Sequence, residues 1–303
     1  MKKTYFYVIG AAALWGTMGL FVRNLTGMGI TQAQIVLLRV LVSSVTLLPV
    51  LLIKDKKLLK VRLKDLWCFV GTGIVSLTLF NLCYFTAMQY TTLSVAAVLL
   101  YTSPAFVMLL SAVLFRERLT ISRLGALVLV FAGCVMVTGV IGSGAAGITL
   151  PGVLYGLGSG VAYALYSIFG RYALNRGYDS FTITFYTFVF SIIGCVPIAD
   201  VGTLVTKMSP ALILWAIGVG VITGVLPYLL YTKGLAEMDN GTASVLATLE
   251  PAVATLVGVI VFREAFGWYN LVGICLLFAG ILVLSRSKDR ETDGAPAAAA
   301  GKE

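Results

Sequence analysis

The chain contains no histidine, so a Ser-His-Asp or other histidine-based catalytic centre is excluded. Charge is scarce: Asp, Glu, Lys and Arg make up 12% of 303 residues. The 13 acids are scattered and offer no pair suited to glycoside hydrolysis. The five cysteines, Cys68, Cys83, Cys134, Cys195 and Cys275, all fall inside apolar stretches, without the spacing of a zinc site or a disulfide framework. They read as small buried hydrophobes, and neither metal nor cofactor is expected. There is no phosphate loop: the local Gly-x-Gly pattern at Gly156, Gly158 and Gly160 lies inside a span, with no strand before it and no lysine after it. No reacting constellation can be assembled, so the chain does not read as an enzyme.

What is present in excess is apolar surface. Hydrophobic residues make up 59% of the chain and mean hydropathy is +0.98, more than one soluble core can hide. The net charge of +9 sits in short segments between apolar runs rather than along one face, so lipid head groups are the expected neighbours and nucleic acid is not. Lys2 and Lys3 ahead of an apolar run, with small residues at Ala11 to Ala13, resemble a secretory signal, but many further spans follow and the segment is read as a helix. A span needs about 20 mostly apolar residues. Ten segments meet that length, near 5–22, 31–53, 66–87, 93–115, 122–141, 151–170, 180–199, 210–231, 242–262 and 268–285. From Ser287 the residues SKDRETDGAPAAAAGKE offer nothing to pack, and 287–303 is expected to be a disordered cytoplasmic tail.

Lysine and arginine concentrate on the cytoplasmic side of membrane proteins. With the N-terminus inside, only Arg23, Lys207 and Arg263 fall outside; Arg39 lies within the second span and every other basic residue is cytoplasmic. Both termini are therefore expected inside. The stretch from Leu93 to Glu117 also reads against that from Gly241 to Glu264 at one register offset. Ala96 falls on Ala243, Pro104 on Pro251, and Phe115-Arg116-Glu117 on Phe262-Arg263-Glu264. The first spans of the two halves agree, with Gly10, Trp15, Phe21 and Arg23 aligned on Gly158, Tyr163, Phe169 and Arg171. Five spans per half is an odd number, so the second copy enters from the opposite side. The expected fold is all-α: ten transmembrane helices in two inverted five-helix repeats, 1–142 and 150–286. A repeat of this kind is either purely architectural or a device for alternating access.

The early Trp15-Gly16, and the proline followed by an apolar run to Phe-Arg-Glu in the fourth and ninth spans, resemble the drug/metabolite transporter superfamily, with the EamA-type family nearest. The resemblance covers about residues 5 to 285. It implies a central cavity between the halves and export or exchange of small metabolites, often amino acids. Relatives also carry nucleotide sugars, phosphorylated sugars or quaternary amines.

Two charged residues stand out. Glu250 is about nine residues into its span, roughly 13 Å deep. A charge at that depth costs about 2.5–3.5 kcal/mol or more and should face the bundle interior or a wet cavity. Pro251 next to it lacks an N–H and leaves the Ala247 carbonyl free; Pro104 does the same to Leu100, but follows Ser103 rather than an acid. These prolines are the kink or hinge candidates, and Glu250 is the proton-coupling candidate. Arg39 is about eight residues into its own span and keeps its charge. It is read either as a grip for a substrate carboxylate, as a permanent partner of Glu250, or as bound to backbone carbonyls. The candidate substrate-binding set is Arg39, Asn81, Tyr84, Tyr101, Ser103, Tyr163, Tyr166, Tyr228, Tyr231 and Glu250. Tyr163 and Tyr166 share a helix face, as do Tyr228 and Tyr231. Such rings suit an aromatic side chain or a cation held by ring faces, or ordinary packing. An amide inside a span, as at Asn81, must find a partner. Gly156 with Gly160, and Gly220 with Gly224, have the spacing for close helix approach.

Together these features predict a multi-pass protein of the cytoplasmic (inner) membrane that exports or exchanges a small metabolite, foremost an amino acid. The alternatives are a carrier of quaternary or aromatic amines and a membrane receptor that does not transport. Duplication within one chain removes the need for a partner, so a monomer or weak dimer is expected.

Overall fold

The computed structural model describes residues 3–140 and 148–293. Among these residues there is no strand. Eight helices are long and apolar enough to cross a membrane: α1 (Thr4–Gly27), α2 (Gln32–Lys54), α3 (Leu63–Tyr90), α4 (Leu93–Phe115), α6 (Leu150–Asn175), α8 (Pro210–Glu237), α9 (Asn240–Phe262) and α10 (Trp268–Ser285). Two shorter apolar helices, α5 (Ile121–Val137) and α7 (Ser180–Cys195), occupy the remaining expected spans. Both fall short for local reasons. The α-helix of α5 gives way at Thr138 and Gly139, where the glycine takes a left-handed φ of 74°. The α7 helix stops two residues before Pro197, whose ring disfavours helical geometry in the residue ahead of it. At 1.5 Å per residue the two helices are roughly 24–26 Å long, less than a hydrocarbon core of about 30 Å.

The last helix continues as far as Asp293. Residues 287–293, expected to lack structure, are therefore helical. Lys, Arg and Glu propagate a helix well once it is nucleated. The rest of the expected tail, like Lys2 and residues 141–142, lies outside the described residues.

The helices pack across the two halves of the chain. α1 lies against α8 and α9, α6 against α3 and α4, α2 against α7 and α8, and α5 against α10. Glycines permit the closest of these approaches. A Cβ on Gly156 would meet Leu99 at 2.5 Å, one on Gly160 the Leu99 carbonyl at 2.9 Å, and one on Gly224 the Ser43 hydroxyl at 2.2 Å. In the α5–α10 pair, a Cβ on Gly133 would meet the Gly273 carbonyl oxygen at 2.8 Å, and one on Gly273 the Gly133 carbonyl oxygen at 2.9 Å. The cysteines are free, and not all are interior. Cys68, Cys134 and Cys195 are buried, Cys83 is half-buried and Cys275 is exposed, because a thiol on an outward helix face meets lipid as readily as protein.

Three helices are interrupted. α1 breaks at Thr17, α4 at Tyr101 and Thr102, and α9 at Thr248 and Leu249. The breaks in α4 and α9 match in detail. Each first segment begins on a side-chain cap, Thr92 accepting from Val95 N–H and Asp239 from Thr242 N–H. Each second segment carries its proline, Pro104 or Pro251, in the first turn, where a missing N–H costs nothing. Each ends on an arginine at φ 56°, Arg116 or Arg263. In α3 and α8 the backbone passes through π-helical turns at Gly71–Thr78 and Val221–Val225.

Candidate functional site

A cavity of about 570 Å³ lies among α1, α2, α3, α4, α6, α8 and α9. It extends from the middle of the helices to the face bearing the α1–α2 and α3–α4 connections, where Arg23, Thr26, Gln32, Met88 and Leu93 line it. On the opposite face the bundle is tied shut. Asp65, buried, pairs with Arg62 (2.6 Å) and Arg176 (3.1 Å) and accepts from the Tyr178 hydroxyl (2.8 Å), tying the start of α3 to the α6–α7 connection.

Arg39 projects from α2 into the cavity wall and is 5% exposed. Its residue sits where α8 comes closest: a Cβ on Gly220 would lie 3.3 Å from the Arg39 carbonyl, and one on Gly224 3.5 Å from Arg39 Cγ. The only hydrogen-bonding contact of its guanidinium among the described residues is a weak one, from Nη1 to the Met18 sulfur at 3.4 Å. Nε and Nη2 are buried and have no partner. The ion pairs among the described residues are Arg23–Glu264, Arg62–Asp65, Arg123–Asp239 and Arg176–Asp65. Arg39 is therefore neither bridged to Glu250 nor bound to backbone carbonyls, the two structural roles its sequence position allowed. An orphaned buried donor costs about 1–3 kcal/mol, more when charged, so an acceptor brought by a ligand recovers that cost.

Glu250 opens the second segment of α9 and also lines the cavity. It is half-buried, and the groups acting most strongly on its carboxyl are the Arg39 guanidinium and the Tyr163 hydroxyl. Its backbone is set by contact with α1: a Cβ on Gly16 would stand 2.8 Å from the Glu250 carbonyl oxygen and 2.6 Å from Val253 Cβ. Gly16→Leu is expected to push α1 off α9 and cost about 1–3 kcal/mol. Thermal unfolding in detergent measures this loss, and an unchanged midpoint would show that the two helices separate freely.

Of the other expected residues, Asn81, Tyr84, Tyr101, Tyr163 and Tyr228 line the same cavity. Asn81 satisfies its amide within α3, donating Nδ2 to the Leu77 carbonyl at 2.6 Å. Three expected residues do not reach the cavity. Ser103 is buried and absent from its walls. Tyr166 and Tyr231 lie in a small adjoining recess, with their hydroxyls paired to Thr232 (2.6 Å) and Ser167 (2.8 Å). Tyr166 is three residues beyond Tyr163, about one helical turn, and that rise carries it past the cavity floor.

Trp15, one of the aromatic residues that the sequence sets around Arg39 and Glu250, is a wall of the site. Its ring meets Tyr228 at 5.3 Å and 81°, and Tyr163 at 6.5 Å and 66°, both edge-to-face. Phe80 closes the opposite side of Tyr163 at 5.2 Å. The cavity thus offers one unpaired cation and one unbridged carboxylate within an aromatic wall, the composition of a small-molecule site rather than of a packed core.

Such a cavity inside a multi-helix membrane protein suits a small-molecule ligand. The EamA-like transporter family model matches residues 2–139 and again 150–286. The chain belongs to that family and is a membrane transporter. It is 29% identical over 288 residues to an uncharacterized transporter of Archaeoglobus fulgidus, covering 92% of this chain and 95% of that one. It is 25% identical over 268 residues to the uncharacterized transporter YetK of Bacillus subtilis, covering 86% and 80%. A solved crystal structure aligns with a TM-score of 0.78 at 19% identity, over 96% of this chain and 99% of its own. At that identity the likeness is one of fold.

Proposed function

We propose that this transporter exports or exchanges amino acids across the cytoplasmic membrane. Arg39 receives the α-carboxylate, Glu250 the α-ammonium, and the Trp15, Tyr163 and Tyr228 rings the side chain. The observation that carries this reading is the Arg39 guanidinium, buried at the cavity wall with two nitrogens unpartnered and no bridge to Glu250. A zwitterion supplies both missing partners at once. A cavity of about 570 Å³ leaves room for a side chain beside the charged end. Glu250 also serves as the proton-coupling group, since it lies where substrate and water both reach it.

The transport cycle is alternating access between two inverted five-helix repeats, 1–142 and 150–286, with all ten helices crossing, the shorter α5 and α7 through a locally thinned bilayer, and both termini cytoplasmic. Several findings support this. The family model matches the chain twice. Helix contacts exchange when each helix is replaced by its counterpart five along: α1 with α8 becomes α6 with α3, and α1 with α9 becomes α6 with α4. The breaks, caps and left-handed arginines of α4 recur in α9. Pro104 and Pro251 at those breaks are the hinges. The positive-inside bias then places the cavity mouth outside.

The aromatic surroundings of Glu250 favour one second reading, a carrier of quaternary or aromatic amines that needs no Arg39. Tyr84, Tyr101 and Tyr163 all lie within the field of its carboxylate. Counterflow in proteoliposomes separates the two. Vesicles preloaded with single amino acids are expected to accumulate labelled amino acid, whereas vesicles preloaded with choline-like amines are not. Accumulation driven only by the amines would replace the first reading by the second.

A further inference from the structure

The two faces of the molecule hold the same residue types in different pairings. On the closed face Glu117, just past the end of α4, accepts from the N–H groups of Asn240 (2.9 Å) and Gly241 (3.2 Å), the first two amides of α9. Arg171, near the end of α6, donates Nε to the Asn240 side-chain oxygen (2.9 Å) and Nη2 to the Met238 carbonyl. Asn240 is fully buried and donates in turn to Ser111 Oγ at 2.9 Å. The seal therefore consists of a carboxylate on a helix N-terminus and a guanidinium on the turn before it.

The counterparts on the cavity-mouth face are Glu264 for Glu117, Arg23 for Arg171, and Leu93 and Ser94 for Asn240 and Gly241. Both glutamates are launched by one local device. The preceding arginine is left-handed at φ 56°, and the glutamate N–H donates six residues back, to Ser111 or Gly258, at 3.2 Å in each case. Yet Glu264 does not reach the first amides of α4. It pairs with Arg23, both side chains being about half exposed, and Arg23 lies 4.2 Å over the Phe262 ring.

We propose that these are the two positions of one switch, and that each glutamate changes partner when its face opens or closes. When the cavity-mouth face closes, Glu264 leaves Arg23 and caps Leu93 and Ser94, while Arg23 turns to the Thr91 carbonyl. Glu117 simultaneously leaves α9 and pairs with Arg171. This rests on the alternating-access reading above and assigns its gate. Charge-assisted bonds from a part-buried carboxylate to helix N-terminal amides are stronger than an exposed ion pair. Each glutamate therefore favours closure of its own face, and the two oppose each other across the membrane.

Hydrogen–deuterium exchange of the full chain in lipid nanodiscs tests the switch at both helix starts. In wild type, saturating transported amino acid changes exchange at 93–96 and 240–243 in opposite directions. Glu117→Gln raises exchange at 240–243, which a merely local role also explains. The switch further requires slower exchange at 93–96 on the far face, by about fivefold for a population shift of that size. Glu264→Gln, at an exposed pair that folding does not need, slows exchange at 240–243. The double variant lacks the slowing at 93–96 seen in Glu117→Gln. Unchanged exchange at 93–96 in Glu117→Gln, with a normal substrate response in wild type, overturns the switch alone. A wild type whose two helix starts ignore a transported substrate overturns alternating access and the switch with it.

Discussion

Arg39→Gln weakens amino-acid exchange severely without destabilising the protein. In the substrate-free state Arg39 is 5% exposed, with Nε and Nη2 unpartnered among the described residues, so removing its charge relieves desolvation rather than breaking a strong bond. The thermal midpoint is expected to stay level or rise. With substrate bound, the same substitution leaves a carboxylate in the cavity facing a neutral amide. Truncating one partner of a buried hydrogen-bonded charge pair costs about 2–5 kcal/mol, which is about 30-fold or more in apparent affinity. A structural arginine gives the opposite signature, a lower midpoint with transport falling only in step. Thermal unfolding and counterflow on one preparation distinguish the two. Arg39→Lys is expected to recover little, because an ammonium cannot reproduce the planar two-point grip on a carboxylate.

Glu250→Gln retains the shape of the side chain and the α1–α9 contact through Gly16, and removes only the charge. Exchange of zwitterions is expected to fall by a factor similar to that of Arg39→Gln, since the substrate ammonium then has no anion in the cavity. The two variants differ in their response to pH. If Glu250 carries the proton of the cycle, the residual flux of Glu250→Gln is flat with pH where wild type is not. Full pH-dependent transport in Glu250→Gln would end the coupling role while leaving substrate recognition to Arg39.

The duplicated architecture was legible because α4 and α9 carry rare signals in order: a mid-span proline and a closing Phe-Arg-Glu within otherwise featureless apolar runs. The break in α1 was not, since Trp15-Gly16-Thr17 contains no proline and looks like any other small-residue step in a span. The lengths of α5 and α7 were overestimated because hydropathy continues past the end of the helix; Gly139 and Pro197 end them while the neighbouring residues stay apolar. In the site, Arg39 and Glu250 were legible because a charge in a span needs a reason. Their relation was not, because depth along two helices does not say whether the side chains meet. The apolar walls, such as Val36 and Leu100, carried no signal at all. A residue facing a cavity and one facing lipid look alike when both are aliphatic. The tyrosines divided for a similar reason: Tyr163 and Tyr166 share a face, but only the first stands at cavity depth.

The chain is duplicated in scaffold and single in chemistry. In the α4–α9 register Glu250 corresponds to Ser103, and at the offset that aligns α1 with α6 the α2 position of Arg39 falls on Thr187 in α7. Thr187 is spent on a buried hydroxyl pair with Thr72 at 2.7 Å. In the proposed cycle the two related halves supply the faces that open and close, and the charged pair supplies the one site between them.

Recognition of both ends of a zwitterion is most directly tested by counterflow of wild-type protein against the best amino acid, its decarboxylated amine and its deaminated acid. The account predicts exchange of the amino acid and, for either analogue, loss of about 30-fold or more in apparent affinity. It also predicts that Arg39→Gln erases the preference for the amino acid over the amine. An amine that exchanges as well as its parent amino acid in wild type would contradict it and leave Arg39 without a role in recognition.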